Sequence, residues 1–121
     1  MTYSITMPLP NSMLSPNARC HWAVKAKHKK SQRLLACALM RAEIGPDFPG
    51  WKEATVQIEV TKKTRVKFDS DNFLSSCKAV FDGVQDSGLI EDDCGLTHLP
   101  LIKNEPDKAH PHMKITFTKT A

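Results

Sequence analysis

The chain has 121 residues, of which 40% are hydrophobic and 25% are charged, and its formal net charge is +4. These values are typical of one globular domain, so we expect a single domain over residues 1–121. No apolar run approaches the roughly 18 residues that a membrane helix needs, and no basic-then-apolar signal pattern opens the chain. We therefore expect a cytoplasmic protein without a membrane partner.

The first half of the chain predicts a strand, a long helix and a second strand. Residues 3–9 (YSITMPL) alternate as a strand does, and the nearby prolines close it or keep it at a sheet edge. Residues 22–43 lack Pro and Gly and carry Leu and Ala at helical spacing, which predicts a helix that ends at Gly45. Residues 54–61 alternate as a strand, which we expect to run on through KKTRVKF (residues 62–68) as an extended arm.

The second half predicts one helix followed by two strands. From about Asp71, apolar residues recur at helical spacing, and Gly88 is placed to end the helix in a left-handed conformation. Residues 96–103 and 113–119 then read as two strands joined by a polar loop. We therefore predict an α/β (α+β) fold in which two main helices pack against a mixed β-sheet.

A run of basic residues occupies the start of the long helix and its approach. It contains no acidic residue and consists of Arg19, Lys25, Lys27, Lys29, Lys30 and Arg33. Two interpretations are open: a solvated helix face, which is what most charge runs form, or a surface that faces nucleic-acid phosphates. Against the first stands the absence of a glutamate four residues away that would balance these charges, and both interpretations stay equally open. In the second interpretation His21 and Trp22 would stack on a base, whereas in the first interpretation the tryptophan belongs to the core.

An acidic stretch interrupts this basic chain. Residues 68–93 hold seven of the 13 acidic residues and one of the 17 basic ones, so their net charge is −6 and that of the remainder is +10. Directly before the acids stand four cations, namely Lys62, Lys63, Arg65 and Lys67. Cations followed by carboxylates are the arrangement expected where a phosphodiester and a metal ion bind side by side.

Asp69 and Asp71 are the first candidate metal ligands. Residues two apart in an extended chain point the same way, so both carboxylates would face one ion, and Mg²⁺ prefers such oxygen ligands. Two carboxylates about 4 Å apart repel by about 4 kcal/mol at an effective dielectric of 20, and a cation would remove that repulsion. The alternative is structural, because Asp-x-Asp-Asn is also suited to capping a helix.

Spacing separates the remaining acidic residues. Asp82 lies about 16 Å along the helix from Asp71, too far to bind the same ion, and is expected to be structural. The chain from Gly88 to Asp93 is just long enough to return towards Asp71. Asp93 could therefore supply a third ligand within one chain, or across a dimer interface. Lys78 lies about 10 Å up the helix from Asp71, and its long side chain would reach a phosphate at the site.

Other kinds of site are not supported by the sequence. The four cysteines show neither a CxxC pair nor the spacing of a zinc site, so free thiols are expected. An EF-hand would need glycine where Leu74 stands. No Walker A, GxGxxG or GxSxG motif occurs, and we predict no small-molecule cofactor. Each of the five histidines is expected to be structural or solvent-exposed.

These residues together resemble the RusA family of Holliday junction resolvases, which are endodeoxyribonucleases of phages and prophages. The resemblance covers nearly the whole chain. It rests on the opening YSITMPLP strand, the DSDN acids, the KAVFDGV helix segment, the turn at Gly88, the Asp92-Asp93 pair and the closing MKITFT strand. Each feature alone would be weak, and their combination within 121 residues is fairly specific.

The resemblance implies a RusA-like homodimer that binds four-way DNA junctions in the bacterial host cytoplasm and nicks them symmetrically with Mg²⁺ or Mn²⁺. It matches Asp69, Asp71 and Asp93 to the catalytic metal-binding carboxylates and Lys78 to the catalytic lysine. One departure concerns Lys78: in the family's type member the lysine comes one helical turn after the second aspartate, where this chain has Ser75. The residues expected to contact DNA are Arg19, Lys25, Lys27, Lys29, Lys30, Lys63, Arg65, Lys67 and Asn72.

Two other functions remain open. One is a protein that binds branched DNA without catalysis, whose acidic residues cap a helix and face solvent. The other is a structure-selective nuclease that acts on other branched or flap DNA.

Overall fold

The computed structural model of the protein describes residues 1–120. Its main elements are β1 (Thr2–Met7), α1 (Trp22–Ile44), β2 (Ala54–Thr61), α2 (Ser70–Ser76), α3 (Lys78–Ser87), β3 (Leu96–His98), β4 (Ile102–Lys103) and β5 (His112–Lys119). Two short 3-10 helices, Ser12–Leu14 and Asp93–Gly95, lie in the connections. The predicted α+β class with a mixed sheet is confirmed.

The five strands form one mixed sheet. β5 pairs antiparallel with β1 on one side and with β2 on the other, while β3 and β4 both run parallel to β2. The parallel pairing requires a crossover, which α2 and α3 supply. The single strand predicted over residues 96–103 is two pieces, because Pro100 has no N–H to give to the ladder. The Pro100 carbonyl instead accepts a hydrogen bond of 2.6 Å from the Gln57 side chain.

The core lies between the helices and one face of the sheet. Every second residue of β2 and β5 is buried there, including Val56, Ile58, Ile115 and Phe117. The opposite face carries polar side chains, such as the hydroxyls of Ser4 and Thr116, which lie 3.2 Å apart. α3 lies at the centre of the helical layer, and its Val80 and Val84 are fully buried. The fold therefore has two layers, with one face of the sheet left partly exposed.

α1 extends as predicted to Ile44, and Gly45, with φ of 77°, follows it. The first ten residues of α1 are exposed or half-exposed, so this end of the helix stands away from the core. Within residues 1–120, none of the helices is both long enough and apolar enough to cross a membrane.

α1 and α3 approach each other closely at Gly83. A Cβ atom on Gly83 would lie 2.2 Å from the carbonyl oxygen of Arg33 and 3.0 Å from the Cβ of Ala36. Beside this contact the Arg33 guanidinium donates two hydrogen bonds to the Asp86 carboxylate, 2.6 and 2.9 Å long. Asp86 on the neighbouring helix thus balances a charge that has no partner within α1 itself.

The single helix predicted from Asp71 to Gly88 is wrong, because it divides at Cys77 into α2 and α3. The Ser75 and Ser76 hydroxyls each donate a hydrogen bond of 3.0 Å to the carbonyl four residues earlier. Such bonds from side chain to backbone bend helices. The helix end at Gly88 is confirmed, with φ of 92°.

The extended arm predicted over residues 62–68 is also wrong, because this segment belongs to no strand. The ladder of β2 with β5 ends at the pair Thr61 and His112, so further residues have no partner to continue it. The segment is held as a loop by hydrogen bonds from Asp107 N to the Lys62 carbonyl and from Lys103 Nζ to the Phe68 carbonyl. It leads directly into α2.

All four cysteines in the described chain are free, as the sequence predicts. Cys77 is buried at the junction of α2 and α3, and burial raises the pKa of its thiol to about 12.

Candidate metal and nucleic-acid site

Asp69 is the N-cap of α2. Its Oδ1 accepts hydrogen bonds from the backbone N–H of Asp71 at 2.8 Å and of Asn72 at 3.4 Å. The capping role that the sequence left as an alternative is therefore confirmed for this residue. Its second oxygen, Oδ2, accepts no hydrogen bond from the described residues, and the side chain is exposed. Capping thus uses half of the carboxylate.

Asp71 lies in the first turn of α2 and not in an extended segment. The prediction that Asp69 and Asp71 point the same way as neighbours in an extended chain is wrong, because Ser70 is already helical. The two residues nevertheless share one helix end, and the exposed Asp71 carboxylate makes no hydrogen bond or ion pair within residues 1–120. Three carboxylate oxygens are thus free, and oxygen is the ligand that Mg²⁺ takes. The two residues fit such an ion but do not enclose it.

Asp93 lies beside α3 and lines a different cavity from the one that Asp69 lines. Its backbone N–H donates a hydrogen bond of 3.3 Å to Oε1 of Gln85, which stands about 10 Å along α3 from Lys78. Asp93 and Lys78 line one cavity of about 310 Å³, together with Phe81, Asp82, Leu96 and His98. The fold therefore brings two of the predicted site residues together in this cavity.

The four predicted catalytic residues form two groups in one chain. Asp69 and Asp71 lie at the start of α2, while Lys78 and Asp93 lie at the cavity beside α3. Among the described residues, no group of three His, Cys, Asp or Glu side chains is placed to hold a metal ion. A third ligand within the same chain is thus not observed, and a ligand set completed across a dimer stays a prediction.

Two further side chains of the α3 cavity were not expected there. Asp82, predicted to be structural, lines it, and so does His98 from the end of β3. The His98 ring packs edge-on against Phe81, with centroids 4.7 Å apart, and burial lowers its pKa. The sequence spacing of His98 and Lys78 does not predict that they line one cavity. His98 reaches the cavity through the parallel pairing of β3 with β2, which joins residues far apart in the chain.

The basic loop that precedes Asp69 forms one wall of a larger cavity of about 470 Å³. The opposite wall comes from the loop between β1 and α1. Lys63 and Asn72, both predicted to contact DNA, line this cavity with Asp69. Arg65 and Lys67 line an adjoining cavity, where Arg65 pairs with Glu105.

One residue of this region, Lys103, was not predicted from the sequence. Lys103, on β4, places its Nζ 4.4 Å from the centroid of the Phe68 ring, and Lys62 places its own at 4.1 Å. Lys103 lies 35 residues beyond Phe68, so no local pattern indicates their contact.

The basic run at the start of α1 is exposed along most of its length. Arg19, Lys27, Lys29 and Lys30 are exposed, while Lys25 is half-buried and donates a hydrogen bond of 3.3 Å to the Ser15 carbonyl. Arg33 is held by Asp86 and so faces α3. The placement of Trp22 in the core is wrong, because the side chain is 76% exposed. It lies beside His21, with ring centroids 5.5 Å apart.

The fold and these two groups of residues define a small α+β protein with exposed carboxylates next to basic surfaces. No known family model matches the chain. A protein of Xylella fastidiosa (strain Temecula1), described as uncharacterized, is 36% identical over 104 residues, which cover 84% of this chain and 67% of that protein. The chain belongs to the same family as this protein.

Proposed function

We propose that the protein is a Mg²⁺- or Mn²⁺-dependent endodeoxyribonuclease that resolves four-way DNA junctions, acting as a homodimer with a RusA-like fold. The observation that carries this proposal is the pair Asp69 and Asp71, whose free carboxylate oxygens lie at the start of α2, directly after the basic loop 62–68. A hard cation held there would lie next to cations suited to a DNA phosphate.

The pattern of ion pairs supports a cation site. Within residues 1–120, salt bridges join only Arg33 to Asp86 and Arg65 to Glu105. The carboxylates of Asp69, Asp71 and Asp93 are therefore unpaired, although the chain has 17 basic and 13 acidic residues. These three side chains therefore have oxygens available to bind a cation.

We assign the metal ligands to Asp69 and Asp71 of one copy and Asp93 of a second copy. Asp93 lines a different cavity from Asp69 within one chain, which supports a third ligand from a second copy. When bound, Mg²⁺ supplies an activated water and offsets the negative charge that develops on the phosphodiester. Lys78, which shares the cavity of Asp93, would contribute a positive charge to the same phosphate.

DNA binding would use two basic surfaces. One is the exposed end of α1 with Trp22, Lys27, Lys29 and Lys30. The other is the loop that carries Lys63, Arg65 and Lys67. A symmetric dimer would present each surface twice, as two arms of a four-way junction require.

A substrate panel tests this function. The purified protein is incubated with end-labelled synthetic DNA in four forms, a four-way junction, a flap, a linear duplex and a single strand, each with Mg²⁺, Mn²⁺ or EDTA. We expect paired nicks in the four-way junction with Mg²⁺ and no cleavage with EDTA. Cleavage of the flap alone would show that the substrate is flap DNA and not the four-way junction. Absence of Mg²⁺- or Mn²⁺-dependent cleavage of any form would contradict the proposal.

A non-catalytic branched-DNA-binding protein is the second candidate, and the capping role of Asp69 favours it. In that case the acidic residues at α2 serve the fold alone. Substitution of Asp71, which caps nothing, separates the two functions.

A further inference from the structure

Two ammonium groups share the ring of Phe68. Lys62 Nζ lies 4.1 Å and Lys103 Nζ 4.4 Å from the ring centroid, so both positive charges border one aromatic ring. Neither lysine forms a salt bridge within residues 1–120. Lys103 is fixed by the hydrogen bond that its Nζ donates to the Phe68 carbonyl, 3.0 Å long.

An anion would stabilise this pair of lysines. Like charges that border one ring repel, and the attraction of each ammonium group to the ring offsets part of that repulsion. A phosphate group between the two lysines would be attracted by both. The ring holds the two side chains in place, so less of their freedom would be lost when the anion binds.

Two cavities meet at this point. Phe68, Lys62, Thr64 and Val66 line both of them and form the partition. The cavity of about 570 Å³ on one side carries Lys103, Arg65 and Lys67, and its one acidic residue, Glu105, is already paired with Arg65. That side is cationic.

The cavity on the other side of the partition, about 470 Å³, has a different lining. Its apolar part comes from Leu9, Pro10, Val66 and Phe73. Its polar part includes the side chains of Asn72 and Ser12, with the charged Lys63 and Asp69 also in the lining. The Asn72 side chain makes no hydrogen bond within residues 1–120, so its amide is free for a ligand. Apolar walls with a few free polar groups are typical of sites for flat, partly polar ligands.

We propose that these adjoining cavities bind one unstacked nucleotide of DNA, with its phosphate between Lys62 and Lys103 and its base in the 470 Å³ cavity. A nucleotide joins an anionic phosphate to a flat base with polar edges. The cavity that contains Lys103 suits the phosphate, and the cavity on the other side of the partition suits the base. A base inside a duplex cannot reach such a cavity, whereas a base at a branch point or in a single strand can. This inference rests on the proposed function for the identity of the ligand as DNA.

Fluorescence anisotropy in EDTA tests the site without cleavage. The probes are a labelled dT oligomer of roughly ten nucleotides and an abasic oligomer with the same number of phosphates. We expect the wild-type protein to bind the dT oligomer about tenfold more tightly, because only this probe has bases. Equal binding of the two probes would overturn the base site.

Two lysine variants test the phosphate position. Lys103→Met and Lys62→Met keep most of the side-chain length and remove the charge. Each is expected to weaken binding of both probes about fivefold and to lower the slope of log affinity against log salt by about 0.7. Lys119→Met, at the far end of β5, is the matched control and should bind as the wild type does. An equal loss in the control, or no loss in either test variant, would overturn the proposal.

Filling the cavity tests the position of the base. Ser12→Trp places a large side chain at the lining, and Asn17→Trp is its control in the same loop, outside the lining. Ser12→Trp should reduce dT binding to the level of the abasic probe, while Asn17→Trp should preserve the difference. Preference for dT retained in Ser12→Trp would overturn this position.

These binding results are independent of the nuclease proposal. Preference for dT without metal-dependent cleavage would support the nucleotide site and contradict the nuclease. Junction cleavage by a protein that binds the two probes equally would support the nuclease and overturn the nucleotide site.

Discussion

Asp69 and Asp71 differ in what they do for the fold, although they lie two residues apart. Asp69 caps α2 through Oδ1, so its replacement would lower stability as well as remove a proposed metal ligand. The Asp71 side chain makes no hydrogen bond within residues 1–120. Replacement of Asp71 therefore tests metal-dependent cleavage without disturbing the fold.

We predict that Asp71→Asn lowers Mg²⁺-dependent junction cleavage at least about hundredfold, because a ligand carboxylate is lost. Junction affinity in EDTA and the melting temperature should stay the same. Single-turnover cleavage, anisotropy and thermal unfolding give the three quantities. Asp47→Asn, at an exposed aspartate in the turn after α1, is the control and should cut normally. Full cleavage by Asp71→Asn would favour the non-catalytic function.

The sequence indicates single residues best where their role is local. The N-cap at Asp69 and the left-handed glycine at Gly88 both follow from neighbours within one helix turn. Lys103 and His98 reach their sites through strand pairing, which brings together residues that are far apart in the chain. Their roles could not be predicted, because spacing says nothing about contacts between distant elements.

At the scale of elements, the packing of α1 on α3 depends on Gly83. An added methyl group would meet the Arg33 carbonyl at 2.2 Å, so the helices would have to separate. We predict that Gly83→Ala lowers the free energy of unfolding by about 1–3 kcal/mol, despite the better helix propensity of alanine. Urea unfolding measures this change. Ala38→Ser, which adds one atom on the exposed side of α1, should change stability little, and an equally small effect of Gly83→Ala would contradict the packing described.

The ion pair between α1 and α3 makes part of the stability depend on pH. The hydrogen bonds from Arg33 hold the pKa of Asp86 below its usual value. Its contribution is therefore fully present above the unfolded pKa of about 3.9, and it is lost as the pH falls through the lower folded value. We predict that Asp86→Asn is less stable than wild type at pH 7 and that the difference disappears in strong acid. Urea unfolding across this range gives the result, and a difference independent of pH would contradict it.

Elements with strong periodicity were predicted well, and elements that depend on their neighbours were not. The alternation in β2 and the uninterrupted run of α1 determine these elements locally. The break at Cys77 depends on the Ser75 and Ser76 hydroxyls, which bond to the backbone while the apolar spacing continues. Residues 62–68 have the composition of a strand but no strand beside them to pair with.

At the scale of the whole molecule, the exposed end of α1 is one of the surfaces that we propose bind DNA. Trp22 is 76% exposed among lysines that have no salt bridge within residues 1–120. We predict that Trp22→Ala weakens junction binding in EDTA about fivefold or more through lost stacking on a base, with an unchanged melting temperature. Leu34→Ala, at an exposed leucine of the same helix, is the matched control. Equal affinities of wild type and Trp22→Ala would show that this surface does not bind DNA.

The division of the acidic residues into two groups is a feature of the tertiary structure and cannot be seen in any one element. The sequence indicated the residue types and the chemistry of oxygen ligands, but whether Asp93 joins Asp69 and Asp71 depends on how two copies of the chain meet. One chain by itself does not place the three together.

The most direct measurement is Mn²⁺ binding by electron paramagnetic resonance in the absence of DNA. If the three aspartates share one ion in the dimer, the wild type and Asp47→Asn bind Mn²⁺ equally, and Asp71→Asn and Asp93→Asn each bind at least about tenfold more weakly. Mn²⁺ binding by Asp93→Asn as tight as that of the wild type would contradict the shared site.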